Sequence, residues 1–386
     1  MGLTDPSKRL EAMPPYMFAE LERKVSEMKE RGIDVISLGI GDPDMPTFPA
    51  VVEAMRKAVG ENSNQKYPTN RGRVEFRRAM ADFYAERFGV EIDSEDGVMP
   101  AIGAKEAIYN LCFAFLDPGD VALASDPGYP VYTGGPVLAG AEPVSLPLLP
   151  ERGFAPDLDR IPEEVAARAR IMFLNYPNNP TGAVVPDGFF EEAVDFARRN
   201  EILVIHDNAY SETTFDGYVA PSFLATPGAM DVGLEVFSLS KGYNMTGWRV
   251  GWMHGPAKIV EACTTLQQYT FVCAPQVGQW AGLAALDCDM TTPLAECRRK
   301  RDRLVEALAG HYRFTVPGGA FYLYPEAPGG SGQAFADRAA AREQLLVVPG
   351  NVFGRADTHF RIAYTVPDAV LERGIAALVR LARPAG

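Results

Sequence analysis

The chain has 386 residues, 47% apolar and 23% charged, enough to bury a full core without disulfide or metal staples. Its 37 Lys+Arg against 50 Asp+Glu leave −13 at pH 7, a surface that repels phosphate backbones and anionic membranes and so argues against both as partners. No apolar run approaches the ~20 residues of a membrane span, and MGLTDPSKRLEAMPP lacks a secretory apolar stretch. The five cysteines, Cys112, Cys263, Cys273, Cys288 and Cys297, never form CxxC. Reduced thiols in a cytoplasmic setting are therefore expected, with no disulfide framework and no metal site.

In chain order, residues 16–31 read as a helix with Phe18, Leu21, Val25 and Met28 on one face, closed by Gly32. A short strand at 34–38 leads into the turn-rich GIGDPD of 39–44. Beyond it one pattern recurs: an apolar run, a polar turn, a helical segment. The runs at 121–124, 171–174, 202–205 and 236–239 do not alternate apolar with polar, which suits strands buried on both faces of a mainly parallel sheet. Segments 105–115 and 189–199 carry helix-period apolar positions, and the alternation of strand and helix predicts an α/β layer structure. After about residue 287 the texture changes. A charged helix over 291–311 precedes FTVPGGAFYLYP, LLVVPGNVFG and HFRIAYTV, which read as a smaller sheet with antiparallel pairs. The expected division is a large domain, 48–286, and a small domain built from both termini, 1–47 and 287–386.

The strongest polar groups follow directly after the apolar runs: Ser125 to Tyr129, Asn175 with PNNPTG, His206 to Tyr210, and Ser240 with Lys241. In open α/β sheets, ligands bind beyond the carboxyl ends of the strands. A lone lysine there is most simply a surface residue, and a lone aspartate a helix N-cap or turn residue. Their company points further. Lys241 offers an amine for Schiff-base chemistry. Arg249, Ser238, Ser240 and the helix start at Gly103-Ala104-Lys105 suit a phosphate. Asp207 can hold a pyridinium nitrogen protonated, with Tyr210 and Asn179 within reach of a ring hydroxyl. Neither GxGxxG nor GxxxxGK[ST] is present, so a small phosphate-bearing aldehyde suits this set better than a nucleotide.

NYPNNPTGA (175–183), HDNAY (206–210) and SLSKGYNMTGWRVGW (238–252) resemble the class I/II pyridoxal-phosphate aminotransferases of fold type I, nearly end to end, from PPYMF (14–18) to HFRIAY (359–364). The resemblance implies a large cofactor-binding domain with a mainly parallel mixed sheet between helices, and a smaller α+β domain. It implies Lys241 as the Schiff-base lysine and proton carrier, Asp207 at the pyridine nitrogen, Tyr210 and Asn179 at the phenolic oxygen, and Tyr129 stacked on the ring. Ala104, Lys105, Ser238, Ser240 and Arg249 would surround the phosphate. Tyr67 would reach the partner's phosphate across a homodimer interface. Arg361 would bind the substrate α-carboxylate, with Gly41, Asn179 and Tyr16 beside the substrate. The implied activity moves an amino group from an L-amino acid to a 2-oxo acid, such as 2-oxoglutarate, in two half-reactions.

Within the class, LGIGDPDMPT (38–47), GAKEAI (103–108), DPGYPVY (126–132) and APSFLATPGA (220–229) look most like LL-diaminopimelate aminotransferases. Their aspartate, alanine and aromatic aminotransferase relatives are the alternatives, followed by a fold type I lyase. QQYTFVCAPQ (267–276) departs from the diaminopimelate pattern by placing Tyr269 where an asparagine is usual; the added aromatic bulk favours apolar or smaller side chains over a zwitterionic distal end.

Overall fold

The computed structural model describes residues 4–13 and 15–382. Pro14 of PPYMF, and residues 1–3 and 383–386 of the expected small domain, lie outside the described residues. Ile36–Ser37 forms β1. Then come β2 (Val98–Ala101), β3 (Val121–Asp126), β4 (Glu142–Pro147), β5 (Ala169–Leu174), β6 (Leu203–Asp207), β7 (Gly233–Ser238) and β8 (Gly251–His254). Strands β2 to β8 build one seven-stranded sheet in the order β2-β8-β7-β6-β5-β3-β4. Neighbours are parallel except at β8, which runs against β2 and β7.

The apolar runs fall in β3, β5, β6 and β7, which are buried over nearly their whole length. Alternate side chains feed two cores, because successive residues of a strand point to opposite faces. Leu123, Met172, Val204 and Phe237 pack with Phe76, Phe190 and Ala281 of the helices Val74–Phe88, Phe189–Asn200 and Gln276–Leu286. Ala122, Phe173, Ile205 and Val236 pack with Ile108, Leu111 and Cys263 of the helices Ala104–Phe115 and Ala257–Thr270. Full burial of each large apolar side chain contributes about 1.5–3 kcal/mol. From β3 the chain passes outward through the Val131–Ala139 helix to β4, then returns to β5 on the other side of β3. Connections thus diverge between β3 and β5, which opens a crevice at their carboxyl ends.

The helix Met17–Glu30 buries Leu21 and half-buries Phe18, Val25 and Met28 against Leu346, Val348 and Phe353. Gly32 follows it at φ +73°, the left-handed geometry that ends helices. The expected strand at 34–38 shrinks to β1, because its partner β10 (Leu345–Leu346) is only two residues long. Strand β9 (Tyr322–Leu323), β11 (Val348–Pro349) and β12 (Phe360–Ala363) form an antiparallel sheet in the order β11-β12-β9. The charged helix ends at Leu308 rather than 311, where Ala309 turns extended and Gly310 takes φ +78°. Its Leu304 and Leu308 join Phe335, Phe360 and Leu378 in a separate core. No helix among the described residues is long and apolar enough to cross a membrane.

Candidate active site

The carboxyl ends of β5, β6 and β7 and the loop after β3 line one cavity of about 450 Å³, closed from the opposite side by Ile40, Gly41, Asp42, Tyr322 and Arg361. Every site residue named from sequence lines it except Tyr67, whose side chain stands outside and is 89% exposed.

Asp207 ends β6 and is almost fully buried. Its Oδ2 accepts from the Tyr132 hydroxyl at 2.8 Å, while Oδ1 has no partner among the described residues. Burial pushes the carboxyl above its usual pKa, opposed by the Tyr132 hydroxyl, the neighbouring His206 charge, the Ala209 N–H and Lys241. Asn175, at the end of β5, ties the adjacent loops together. Its Nδ2 donates to Asp207 O at 2.8 Å and its Oδ1 accepts from Asn179 N–H at 2.9 Å. His206 turns to the other face of the sheet, where its Nδ1 lies 2.6 Å from Glu235 Oε1.

At one end of the cavity the helix Ala104–Phe115 begins, and its first N–H groups have no intrahelical acceptors. Gly103 takes φ +117°, and a Cβ there would stand 2.5 Å from Arg249 Nη2. The glycine lets the guanidinium lie against the helix start. Arg249 Nη1 donates to Thr246 O at 2.7 Å, and Ser238 Oγ accepts from Ser240 N–H at 3.1 Å. Lys105 offers its main-chain N–H at this helix start, while its side chain turns to Tyr16. Its Nζ donates to the Tyr16 hydroxyl at 3.1 Å and lies 4.4 Å from that ring's centre.

In the middle, Lys241 Nζ donates to Gly41 O at 3.1 Å. At the far wall Arg361 is 1% exposed. It donates to Asn179 Oδ1 at 3.0 Å and to Gly39 O at 2.7 Å. The rings of Tyr322, Phe353 and Phe18 surround its guanidinium at 4.3, 4.8 and 5.4 Å. Asn179 spends its oxygen on Arg361, so its Nδ2 remains the donor for a ligand. The Tyr210 hydroxyl meets that of Tyr322 at 2.9 Å.

Sequence reasoning assigned no role to Tyr132, Asn175, Tyr322, Phe18 or Phe353. Tyr132 and Tyr322 stand within the DPGYPVY and GGAFYLYP stretches, but nothing in those stretches names Asp207 or Tyr210 as their partners. Among the described residues there is no metal-holding group of His, Cys, Asp and Glu.

The donor set fits pyridoxal phosphate. A buried carboxylate oxygen without a partner suits a ring N–H. The glycine-spaced helix start beside Arg249 suits a phosphate dianion. Lys241 supplies the amine between them.

Residues 33–378 match the family described as Aminotransferase class I and II. The chain is 44% identical to a protein of Moorella thermoacetica named LL-diaminopimelate aminotransferase, over 97% of this chain and 98% of that one. It is 47% identical to one of the same name from Desulforudis audaxviator, over 94% of each. Among solved structures, substrate-bound BacF from Bacillus subtilis superposes with a TM-score of 0.94 at 35% identity, covering 100% of this chain and 99% of that one. Thermus thermophilus aspartate aminotransferase with maleate gives 0.92 at 29% identity, covering 98% and 100%. The chain belongs to the class I and II aminotransferases, enzymes of fold type I that use pyridoxal 5′-phosphate to transfer amino groups.

Proposed function

We propose that this aminotransferase takes its amino group from LL-diaminopimelate and passes it to 2-oxoglutarate. The observation that carries the reading is the charge layout of the cavity. Arg361 is buried at one wall, and Lys105, Glu22 and Asp42 line the same cavity and bring both signs of charge, as an amino acid with a zwitterionic distal end requires. The relatives at 44% and 47% identity that carry the diaminopimelate name support it. Tyr269, which argued for smaller donors, is 87% exposed and stands outside this chain's own cavity as Tyr67 does, so it would bear on donor choice only from a neighbouring subunit.

When bound, the cofactor supplies a carbonyl for the incoming amine and a ring that accepts electron density. Asp207 Oδ1 would hold the ring nitrogen protonated, with Tyr132 at Oδ2 fixing the carboxylate's orientation. Arg249, Ser238, Ser240 and the N–H groups of Ala104 and Lys105 would hold the phosphate. Tyr210 and Asn179 Nδ2 would donate to the phenolic oxygen, and Tyr129 would pack on the ring. Arg361 would bind the α-carboxylate and so turn the substrate Cα–H toward Lys241, whose Nζ would take that proton and carry it for the transfer.

The separate cores support the division into 48–286 and a second domain of 1–47 with 287–386. Exposed Tyr67 supports a homodimer in which it serves the neighbouring phosphate site. The free cysteines support a reducing, cytoplasmic setting. The test is a panel of LL-diaminopimelate, aspartate, alanine and phenylalanine with 2-oxoglutarate, read as kcat/KM. We expect diaminopimelate to lead, with one 2-oxoglutarate consumed per donor. A lead by phenylalanine or alanine refutes the substrate, and turnover without 2-oxoglutarate refutes transfer. In the holoenzyme, Lys241→Ala should abolish the visible band.

A further inference from the structure

We infer that Tyr322 is a positioning residue that braces Arg361 with its ring and Tyr210 with its hydroxyl, so that one side chain sets both the carboxylate site and the donor to the cofactor's phenolic oxygen. The inference rests on the residue roles proposed above and adds one that they do not contain.

The placement follows from the small sheet. In the antiparallel register, Tyr322 of β9 stands opposite Ala363 of β12, and Arg361 lies two residues along on the same face. Diagonal neighbours of this kind are within reach of aromatic and long side chains. Here the ring centre lies 4.3 Å from the guanidinium, a cation–π contact in a site that excludes water. Tyr322 is 2% exposed and Tyr210 5%, so solvent does not replace their mutual bond of 2.9 Å.

The ring is pinned from a third side. A Cβ on Gly41 would stand 2.5 Å from the Tyr322 hydroxyl and 2.7 Å from Cε1, so this glycine is required by close approach. Gly41 O in turn accepts from Lys241 Nζ. The ring of Tyr210 lies edge-on to that of Tyr322 at 5.8 Å and 76°, which fixes the direction in which the two hydroxyls meet.

Donor logic sets the polarity. To donate to a cofactor oxygen, Tyr210 must give its own proton outward, so it accepts from Tyr322. A donor that is itself an acceptor is polarised and donates more strongly. The titratable groups facing the pair are Arg361 from β12, Asp207 from β6, Lys241 after β7, Tyr129 after β3 and Tyr364 beyond β12. None of them bonds the Tyr210 hydroxyl as Tyr322 does.

The experiment follows the visible band of the loaded enzyme against pH in wild type, Tyr322→Phe, Tyr210→Phe and the double variant. Weaker donation by Tyr210 leaves more charge on the phenolic oxygen, which holds the neighbouring proton more tightly. Tyr322→Phe is therefore expected to raise the midpoint by about 0.2–0.4 pH unit. It should add nothing once Tyr210 is Phe. The ring's part is read separately with glutarate, a dicarboxylate without an amino group. Tyr322→Leu should weaken its binding about 3–10-fold while Tyr322→Phe leaves it unchanged. An unmoved midpoint in Tyr322→Phe, or an equal shift in the Tyr210→Phe background, overturns the inference. Absence of any visible band in the wild type overturns instead the cofactor reading on which it rests.

Discussion

Replacing Tyr132 by Phe isolates a single hydrogen bond beneath the cofactor. Tyr132 is 1% exposed and its ring stacks on Phe173 at 5.2 Å and 17°, contacts that Phe retains. What disappears is the 2.8 Å bond to Asp207 Oδ2. A hydrogen bond to a buried carboxylate contributes about 1.5–3 kcal/mol, so the Kd for pyridoxal phosphate should rise by about 10–100-fold. The sign of the pH dependence follows too. Burial already raises the pKa of Asp207, and the Tyr132 hydroxyl opposes that rise. Without it the carboxyl is held higher still and gives up its proton less readily. The affinity loss should therefore deepen as pH falls from 8 to 6. Titration of apoenzyme with the cofactor at pH 6, 7 and 8, read by visible absorbance, measures both effects. A Kd within twofold of wild type at all three values would refute the reasoning.

Arg361→Ala should lower kcat/KM for every amino donor and oxo acid alike, since truncating one partner of a buried charged pair costs about 2–5 kcal/mol; an effect on one substrate only would show a different carboxylate site. Burial raises the Glu106 carboxyl to about 7, against hydrogen bonds from Ile102 N–H and Asn110 and the charge of Arg249. The folded chain then holds a proton that the unfolded chain releases between about 4.5 and 7, so this group lowers stability as pH rises through that window. In urea unfolding of the apoenzyme, Glu106→Gln should remove up to about 3 kcal/mol of the stability difference between pH 5 and 8, and an unchanged difference counts against it. In Gly354→Ala the new Cβ overlaps Asp126 Oδ1, which also accepts from Arg355 N–H at 3.2 Å. A drop of about 1–3 kcal/mol in stability with a raised KM is expected, as Phe353 is pushed off Arg361; a wild-type melting curve and KM would refute it.

The large sheet was legible because its strands are buried on both faces and leave uninterrupted apolar runs. Lys241, Asp207 and Asn179 were legible because each stands just beyond such a run. The small sheet was harder. Strands β9, β10 and β11 are two residues each, too short for any periodicity, and β1 pairs with a partner from the far end of the chain. Tyr132 and Tyr322 escaped for a related reason. Each acts through a bond to an element distant in sequence, and tertiary pairing leaves no local pattern. His206 is different: strand alternation alone turns it to the face opposite Asp207, toward Glu235.

The stretch from Gly39 to Gly41 holds two key side chains of the cavity through main-chain oxygens alone, Arg361 at Gly39 and Lys241 at Gly41. A peptide carbonyl survives nearly any point mutation. Ile40 and Asp42, whose side chains furnish the cavity beside those anchors, can therefore be exchanged without loosening either one. Reaction chemistry and donor preference are separately adjustable in this scaffold, and a search for altered specificity should begin at those two positions.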